Sequence, residues 1–268
     1  YNGWVPRNYD YSYRGMVDAR TALRKSLNTT PVEIINKMGP EKSFEFLSEK
    51  FGLTTLVKSR DIDGKIYTDV GLSQLALGGL TDGATTVDMA AAYAVLANGG
   101  YAVWPHAINE ISSKNGHQLY VRQADKQKQI IDGTIVRQMS EMLSHVINRG
   151  TGKKAQLPYF AAGKTGTTQN YRDAWFVGWA GGYVAAVWVG NDNEKPMNKV
   201  GGGTIPAEIW HDVMLAAHNI NPLSATENDG IASLIDDSAT SSDSIGDLIE
   251  EENLDDDANT KNSTKPST

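Results

Sequence analysis

The strongest constraint on the fold is a set of three closely spaced β-rich segments in the second half of the chain. They span Tyr159–Lys164, Asp173–Ala180 and Tyr183–Val189. The last two are separated only by Gly181-Gly182, a pair that is typical of a tight hairpin turn. Consecutive strands joined by tight turns pair with opposite directions. The pattern therefore predicts an antiparallel sheet in this part of the chain.

Helical patterns dominate most of the remaining chain. Apolar residues at helical spacing and cap residues predict helices over Gly15–Leu27, Val32–Met38, Glu41–Phe51, Met89–Ala97, Asp132–Asn148 and Ile205–Ala217. Further strand candidates are Tyr101–Trp104, Ala107–Ser112 and Gln118–Val121, and Leu53–Gly83 is predicted to be mostly loop. The three successive N-terminal helices predict a helical lobe. The whole pattern predicts an α/β (α+β) fold, with an antiparallel sheet flanked by helices.

Charge is distributed very unevenly along the chain. Of its 32 acidic and 25 basic residues, twelve acidic and only two basic ones lie in residues 223–268. Residues 1–222, with the other 20 acidic and 23 basic residues, carry no basic stripe of the kind that binds nucleic acid. We expect a folded domain over 1–222 and an acidic, disordered tail over 223–268, with a partner-binding tail as the alternative. The chain has no cysteine, which excludes disulfides and a cysteine nucleophile.

A short polar segment, Lys164-Thr165-Gly166-Thr167-Thr168, lies between the first two predicted strands. Together with Gly163 it resembles the end of a phosphate-binding P-loop, which requires another glycine five residues before Gly163. That position is Pro158, which has no backbone N–H to offer a phosphate. A turn rather than a helix follows the lysine. The sequence therefore disfavours a P-loop.

The competing interpretation places this segment on an edge strand beside a cleft. Lys164 then supplies a positive charge for a substrate carboxylate, and the absent side chain of Gly166 lets a peptide lie along the strand. In one class of active-site serine enzymes, Lys-Thr-Gly accompanies a Ser-x-x-Lys and a Ser-x-Asn element. Ser26-Leu27-Asn28 has the Ser-x-Asn form and lies at the end of a predicted helix. A simple Ser/Asn helix cap is the structural alternative there.

Many further segments resemble the transpeptidase domain of class A penicillin-binding proteins. The matching segments are Asn8–Asp10, Tyr13–Gly15, Ala22–Asn28, Ala76–Gly79, Met89–Ala94, Ala97–Gly100, Gly150–Gly152, Ala162–Thr168, Arg172–Gly178, Trp188–Asp192 and Pro206–Trp210. They extend over about residues 1–218. The resemblance implies the penicillin-binding/β-lactamase-like transpeptidase fold.

The same resemblance implies a D,D-transpeptidase that cross-links peptidoglycan stem peptides ending in D-Ala-D-Ala and is acylated by β-lactams. Its implied catalytic residues are Ser26, Asn28 and Lys164: Ser26 relays protons to the leaving amine, Asn28 binds the substrate backbone and Lys164 holds the positive charge. Its implied substrate-binding residues are Thr165, Gly166, Thr167 and Thr168. The hydroxyls of Thr165 and Thr167 bind the terminal carboxylate, and the Thr167 N–H contributes to the oxyanion hole. No metal and no cofactor is expected.

One family motif is absent from the chain. No serine is followed by a lysine three positions later. In the family this Ser-x-x-Lys lies several tens of residues before Ser-x-Asn, whereas only 25 residues precede Ser26 and the chain opens on Tyr1. We therefore expect an N-terminally truncated domain that does not form an acyl-enzyme by itself. A degenerate enzyme is the alternative.

The resemblance also extends to expectations about the parent protein. It implies an upstream glycosyltransferase domain that uses lipid II-derived glycan, and a membrane anchor that this chain lacks. The location would be the outer face of the bacterial inner membrane, with partners in the cell-wall synthesis complex. A non-catalytic peptidoglycan-binding module and a D,D-carboxypeptidase of the same superfamily are the alternative functions.

Overall fold

The computed structural model describes residues 3–123 and 128–220. The tail predicted over 223–268 lies outside the described residues. The helices are α1 (Ala19–Arg24), α2 (Thr29–Met38), α3 (Pro40–Glu45), α4 (Leu72–Leu77), α5 (Thr86–Ala97), α6 (Gly133–Arg149) and α7 (Ile205–Ile220). The strands are β1 (Arg60–Ile62), β2 (Lys65–Tyr67), β3 (Glu110–Ser112), β4 (Gln118–Val121), β5 (Ala162–Thr167), β6 (Asp173–Ala180) and β7 (Tyr183–Gly190). Within the described ranges, no helix has the length and apolar character required to cross a bilayer.

The main sheet has three antiparallel strands in the order β5-β6-β7, as predicted. β6 and β7 pair along their full lengths, from Asp173 opposite Gly190 to Ala180 opposite Tyr183. β5 begins at Ala162, three residues later than the predicted start at Tyr159. Its pairing with β6 starts at Ala162 opposite Trp179 and ends at Thr167 opposite Ala174. As a result, the segment from Lys164 to Thr167 lies within β5 and not beyond its end. β5 is also an edge strand, so one side of this segment is left without a strand partner in the sheet.

Helices cover both faces of this sheet. Alternate residues of β6 point to opposite faces, as the period of a strand requires. Phe176 packs with Trp210 of α7 in one buried cluster, whereas Trp179 packs with Val146 of α6 and Tyr93 of α5 in the other. Phe176 and Trp210 are fully buried. The packing fixes β5 between α6 and the rest of the sheet.

The N-terminal helical lobe is present, but its first helix is much shorter than the predicted Gly15–Leu27. Asp18 begins α1 by accepting a hydrogen bond from the Thr21 N–H at 2.8 Å. At the other end, Ser26 has φ = +53°, a left-handed conformation that cannot continue a helix. α2 follows directly after Asn28.

One prediction about the middle of the chain is wrong, and another is incomplete. Tyr101–Trp104 is not a strand, because Tyr101 forms only an isolated antiparallel bridge with Gln129. Leu53–Gly83 is mostly loop, as predicted, but it also contains the β1–β2 hairpin and α4, which the sequence did not predict. Asp63 and Gly64, both with positive φ, form the two-residue turn of that hairpin. An Asp-Gly pair is the usual signal for such a turn.

Candidate active site

Ser26 and Lys164 lie in direct contact although 138 positions separate them. The Lys164 Nζ donates a hydrogen bond to the Ser26 Oγ at 2.7 Å and a second one to the Thr165 carbonyl oxygen at 3.0 Å. Burial lowers the pKa of Lys164 to about 8, because the charged ammonium group is poorly solvated there. The contact joins the α1–α2 junction to the edge strand of the sheet. It pairs a hydroxyl with an amine whose charge changes close to neutral pH.

The local backbone explains how Ser26 reaches this position. The Leu27 N–H bonds to the Ala22 carbonyl at 2.9 Å and so closes the end of α1. Leu27 itself is buried. Ser26, which lies between Ala22 and Leu27 in the chain, is forced into the left-handed backbone conformation. That conformation costs a non-glycine residue about 1–3 kcal/mol. The surrounding packing therefore holds the Ser26 hydroxyl in a strained but fixed position facing β5.

Asn28 is anchored by the segment that precedes α1. Its Nδ2 donates to the Arg7 carbonyl at 2.8 Å, and its backbone N–H donates to the Asn8 Oδ1 at 2.9 Å. Asn8 is almost completely buried. The amide group of Asn28 is thus held by the segment before α1, two residues after Ser26, and makes no hydrogen bond with Ser26 or Lys164 in the described structure. Its predicted contact with a substrate backbone stays a prediction.

The threonine hydroxyls of β5 are held by two other segments. The Thr165 Oγ1 lies 2.7 Å from the Thr151 Oγ1, and the Thr167 Oγ1 accepts a hydrogen bond from the Gly202 N–H at 2.9 Å. A Cβ added to Gly202 would lie only 2.3 Å from the Trp175 carbonyl oxygen. Glycine is therefore required at position 202, because the backbone there packs directly against the β5–β6 pair.

Gly166 and Thr168, also predicted to bind substrate, differ in their surroundings. Gly166 lies mid-strand opposite Trp175, where an added Cβ would be 3.2 Å from the Trp175 Cβ. Thr168 follows β5 and closes the turn into β6: its N–H bonds to the Asp173 carbonyl at 3.0 Å, and its Oγ1 accepts from the Asp173 N–H at 2.8 Å. The observed bonds of Thr168 are those of a turn residue. Its role as a substrate ligand stays a prediction.

Three residues next to the predicted site were not assigned a role from the sequence: Asn8, Thr151 and Gly202. The segments that contain Asn8 and Thr151 were visible only as stretches of resemblance. For the glycine run at 201–203, close approach of the backbone to a ligand and a flexible turn both fit the sequence. In the structure Gly202 packs closely against β5 and β6, and an approach of this run to a ligand stays a prediction.

Comparison with known proteins identifies the family. The model of the penicillin-binding protein transpeptidase domain matches residues 1–215. The chain belongs to this transpeptidase family. Within the family, it is 34% identical to penicillin-binding protein 4 of Bacillus subtilis over 217 residues, which are 80% of this chain and 33% of that protein. It is 35% identical to penicillin-binding protein 1A of Aquifex aeolicus over 221 residues, 82% of this chain and 28% of that protein.

Solved structures of penicillin-binding proteins have the same fold. The chain matches the penicillin-binding protein PonA1 of Mycobacterium tuberculosis with a TM-score of 0.71 and 25% identity, over 84% of this chain and 62% of that one. The structure of PonA1 in complex with penicillin V matches with a TM-score of 0.68. The expected transpeptidase fold is therefore confirmed. This transpeptidase chain nevertheless spans only about a third of the length of the curated relatives given above.

Proposed function

We propose that this chain forms the Lys-Thr-Gly and Ser-x-Asn part of a serine D,D-transpeptidase, which cross-links peptidoglycan stem peptides. The observation that carries the proposal is the hydrogen bond between the Lys164 Nζ and the Ser26 Oγ. It brings together residues of the two motifs around an amine with a pKa of about 8. A positioned hydroxyl–amine pair of this kind suits proton transfer near neutral pH.

Acyl-enzyme formation begins when a serine hydroxyl attacks the carbonyl carbon of the penultimate D-alanine. The C–N bond to the terminal D-alanine then breaks, and the leaving nitrogen takes up a proton. Ser26 gives its hydroxyl proton to that nitrogen and regains one from Lys164, to which it is already hydrogen-bonded. The attacking serine loses its own proton to the lysine of the Ser-x-x-Lys motif, and this proton restores the charge of Lys164. The amine of a neighbouring stem peptide next attacks the ester, which releases the serine and forms the cross-link. The same serine opens the ring of a β-lactam.

Recognition of the substrate depends on β5 as an edge strand. The Lys164 ammonium group attracts the terminal carboxylate, and the hydroxyls of Thr165 and Thr167 donate hydrogen bonds to it. Asn28 bonds to the peptide backbone of the substrate. The Thr167 N–H stabilises the oxyanion of the tetrahedral intermediate, a contribution of about 3–4 kcal/mol for a single donor.

The nucleophile is expected outside this chain, because no serine here has a lysine three positions later. We therefore propose that the chain acts within a longer protein, whose Ser-x-x-Lys segment completes the cleft. A glycosyltransferase domain, a membrane anchor and a site at the outer face of the inner membrane belong to the same proposal. Lipid II-derived glycan and cell-wall synthesis proteins would be its further partners.

Labelling with a fluorescent penicillin tests the proposal. We expect covalent labelling of the full-length gene product, blocked by unlabelled penicillin V, and no labelling of the 268-residue chain. Full-length protein with Ser26→Ala serves as the matched variant, and its labelling rate should fall at least about tenfold, since the proton relay is lost. A full-length protein that is folded but never labelled would contradict the assignment, and labelling of the short chain would show that the nucleophile lies within it.

A second candidate function is a peptidoglycan-binding module without chemistry, which the absence of Ser-x-x-Lys favours. The upstream reading frame separates the two candidates. A Ser-x-x-Lys within several tens of residues before Tyr1 supports the enzyme, whereas an uninterrupted frame without one supports the binding module. Product analysis with an acceptor amine then distinguishes transfer from the hydrolysis expected of a D,D-carboxypeptidase.

A further inference from the structure

A tightly packed Gly-Thr-Gly turn lies beside the threonines of β5. It follows α6 and contains Gly150, Thr151 and Gly152. A Cβ on Gly150 would lie 2.6 Å from the Arg24 carbonyl oxygen, and one on Gly152 would lie 3.0 Å from the Phe176 ring. The contact at Gly150 leaves no room for a side chain, and the one at Gly152 would require the Phe176 ring to shift. The two glycines thus allow the turn to press between the end of α1 and the sheet.

The backbone of this turn is held on several sides. The Gly152 N–H donates to the Val146 carbonyl at 2.9 Å, and the Thr151 N–H donates to the Arg24 carbonyl at 3.4 Å. On the other side, a Cβ on Gly203 would lie 2.1 Å from the Thr151 carbonyl oxygen, so these two backbones also pack closely. Thr151 therefore has little freedom to move. The backbone contacts hold its hydroxyl oxygen 2.7 Å from the Thr165 hydroxyl oxygen.

The direction of the hydrogen bond between these two hydroxyls decides what Thr165 can bind. A hydroxyl has one hydrogen to donate, and a carboxylate only accepts. If Thr165 donates to Thr151, it presents lone pairs to the carboxylate. If Thr151 donates to Thr165, the hydrogen of Thr165 is available to the carboxylate. Binding of an anion therefore selects the second direction.

We propose that Thr151 is a positioning residue for carboxylate recognition. Its hydroxyl donates to the Thr165 Oγ1, and this bond directs the Thr165 hydrogen towards the terminal carboxylate of the substrate. The Gly202 N–H acts in the same way on the Thr167 Oγ1, to which it donates at 2.9 Å. The two motif threonines are thus both held as donors by groups distant in sequence. The inference rests on the proposed function, since it assumes a substrate that carries a carboxylate.

The test compares two probes in the full-length gene product: penicillin V, which carries the carboxylate, and its methyl ester, which does not. Rates of acylation are measured for wild type, Thr151→Val, Thr151→Ala and Thr151→Ser. Removing the hydroxyl should slow acylation by penicillin V about threefold to tenfold, the usual effect of one lost hydrogen bond. The rate with the ester should stay unchanged. Thr151→Ser keeps the hydroxyl and should retain the wild-type ratio of the two rates.

Thr134→Val, at an exposed position at the opposite end of α6, is the matched control and should leave both rates unchanged. Equal loss with both probes in Thr151→Val would mean that Thr151 only supports the fold and would overturn the inference. No loss with either probe, or unfolding of both the Val and the Ala variant, would overturn it as well. A folded wild type that neither probe acylates would instead refute the proposed function itself.

Discussion

Two ionisable side chains, Asp69 and Lys164, lie in surroundings that differ sharply. Asp69, which is fully buried between β2 and α4, accepts three hydrogen bonds. The donors are the Val57 N–H at 2.8 Å and both the N–H and the hydroxyl of Thr81 at 2.7 Å. Lys164 has a hydroxyl and one carbonyl oxygen as its partners and faces no carboxylate among them. Burial lowers its pKa from the ordinary 10.5 to about 8.

The contrast separates a charge that the fold surrounds with hydrogen-bond donors from one that has no counter-charge among its partners. Asp69 holds the segments around positions 57, 69 and 81 together. Its donors are the backbone N–H groups of Val57 and Thr81 and the hydroxyl of Thr81. The carboxylate is therefore part of the fold of the 53–83 region. Lys164 joins the Ser26 hydroxyl to the backbone of β5, and neither partner carries a negative charge that would compensate its own. An anion that binds beside the Lys164 ammonium group would therefore stabilise its charge.

The largest expected effect in this comparison follows removal of the Asp69 carboxylate. Asp69→Ala leaves the N–H groups of Val57 and Thr81 without their acceptor. Because each unpaired buried group costs about 1–3 kcal/mol, the free energy of unfolding should fall by about 3–5 kcal/mol. Urea unfolding followed by tryptophan fluorescence measures it. Asp192→Ala, at an exposed position, is the control and should change stability by less than about 0.5 kcal/mol. Equal effects of the two substitutions would remove the distinction between a buried structural charge and a surface one.

Lys164→Met should have the opposite profile, with large loss of function and little loss of stability. In the full-length gene product, acylation by penicillin V should slow at least about hundredfold, or about 2.7 kcal/mol, because the proton relay and the anion-binding charge disappear together. At pH 7 the variant should be at least as stable as wild type, since a poorly compensated charge is no longer buried. A clearly less stable variant would place Lys164 with Asp69 among the structural charges.

Sequence patterns predicted the sheet and the motif pair better than they predicted the 53–83 region. The sheet has local signals: alternating apolar residues in β6 and the Gly181-Gly182 turn. The meeting of Ser26 with Lys164 could be expected only from resemblance, since no local pattern encodes a contact across 138 positions. The importance of Asp69 had no sequence signal at all. An isolated aspartate in a polar stretch looks like a surface residue until the three donors are folded around it.

Some of the remaining errors have an identifiable physical cause. Asp63-Gly64 is a strong hairpin signal, but the strands that it joins have only three residues each and are too short to show a strand pattern. Tyr101–Trp104 has the β-branched and aromatic residues of a strand without the partner. Tyr101 forms an isolated bridge with Gln129, and the Ala102 N–H bonds to the Lys128 carbonyl at 2.9 Å. Strand propensity alone does not produce a strand when no neighbouring segment pairs with it along its length.

The smallest expected effect is the pH dependence that Lys164 gives to stability. Its pKa is about 8 in the folded chain and near the ordinary 10.5 when unfolded, so between these values the unfolded chain binds more protons. Stability therefore rises with pH across that window, and the cost of burying the charge is fully present only below about pH 8. Relative to Lys164→Met, the wild type should gain about 2–3 kcal/mol between pH 7.5 and 10.5. Urea unfolding of both proteins at several pH values measures the difference, in which the other titrating groups cancel. A difference that stays constant over this range would mean that Lys164 is solvated like a surface lysine, and the contrast with Asp69 would then lose its electrostatic basis.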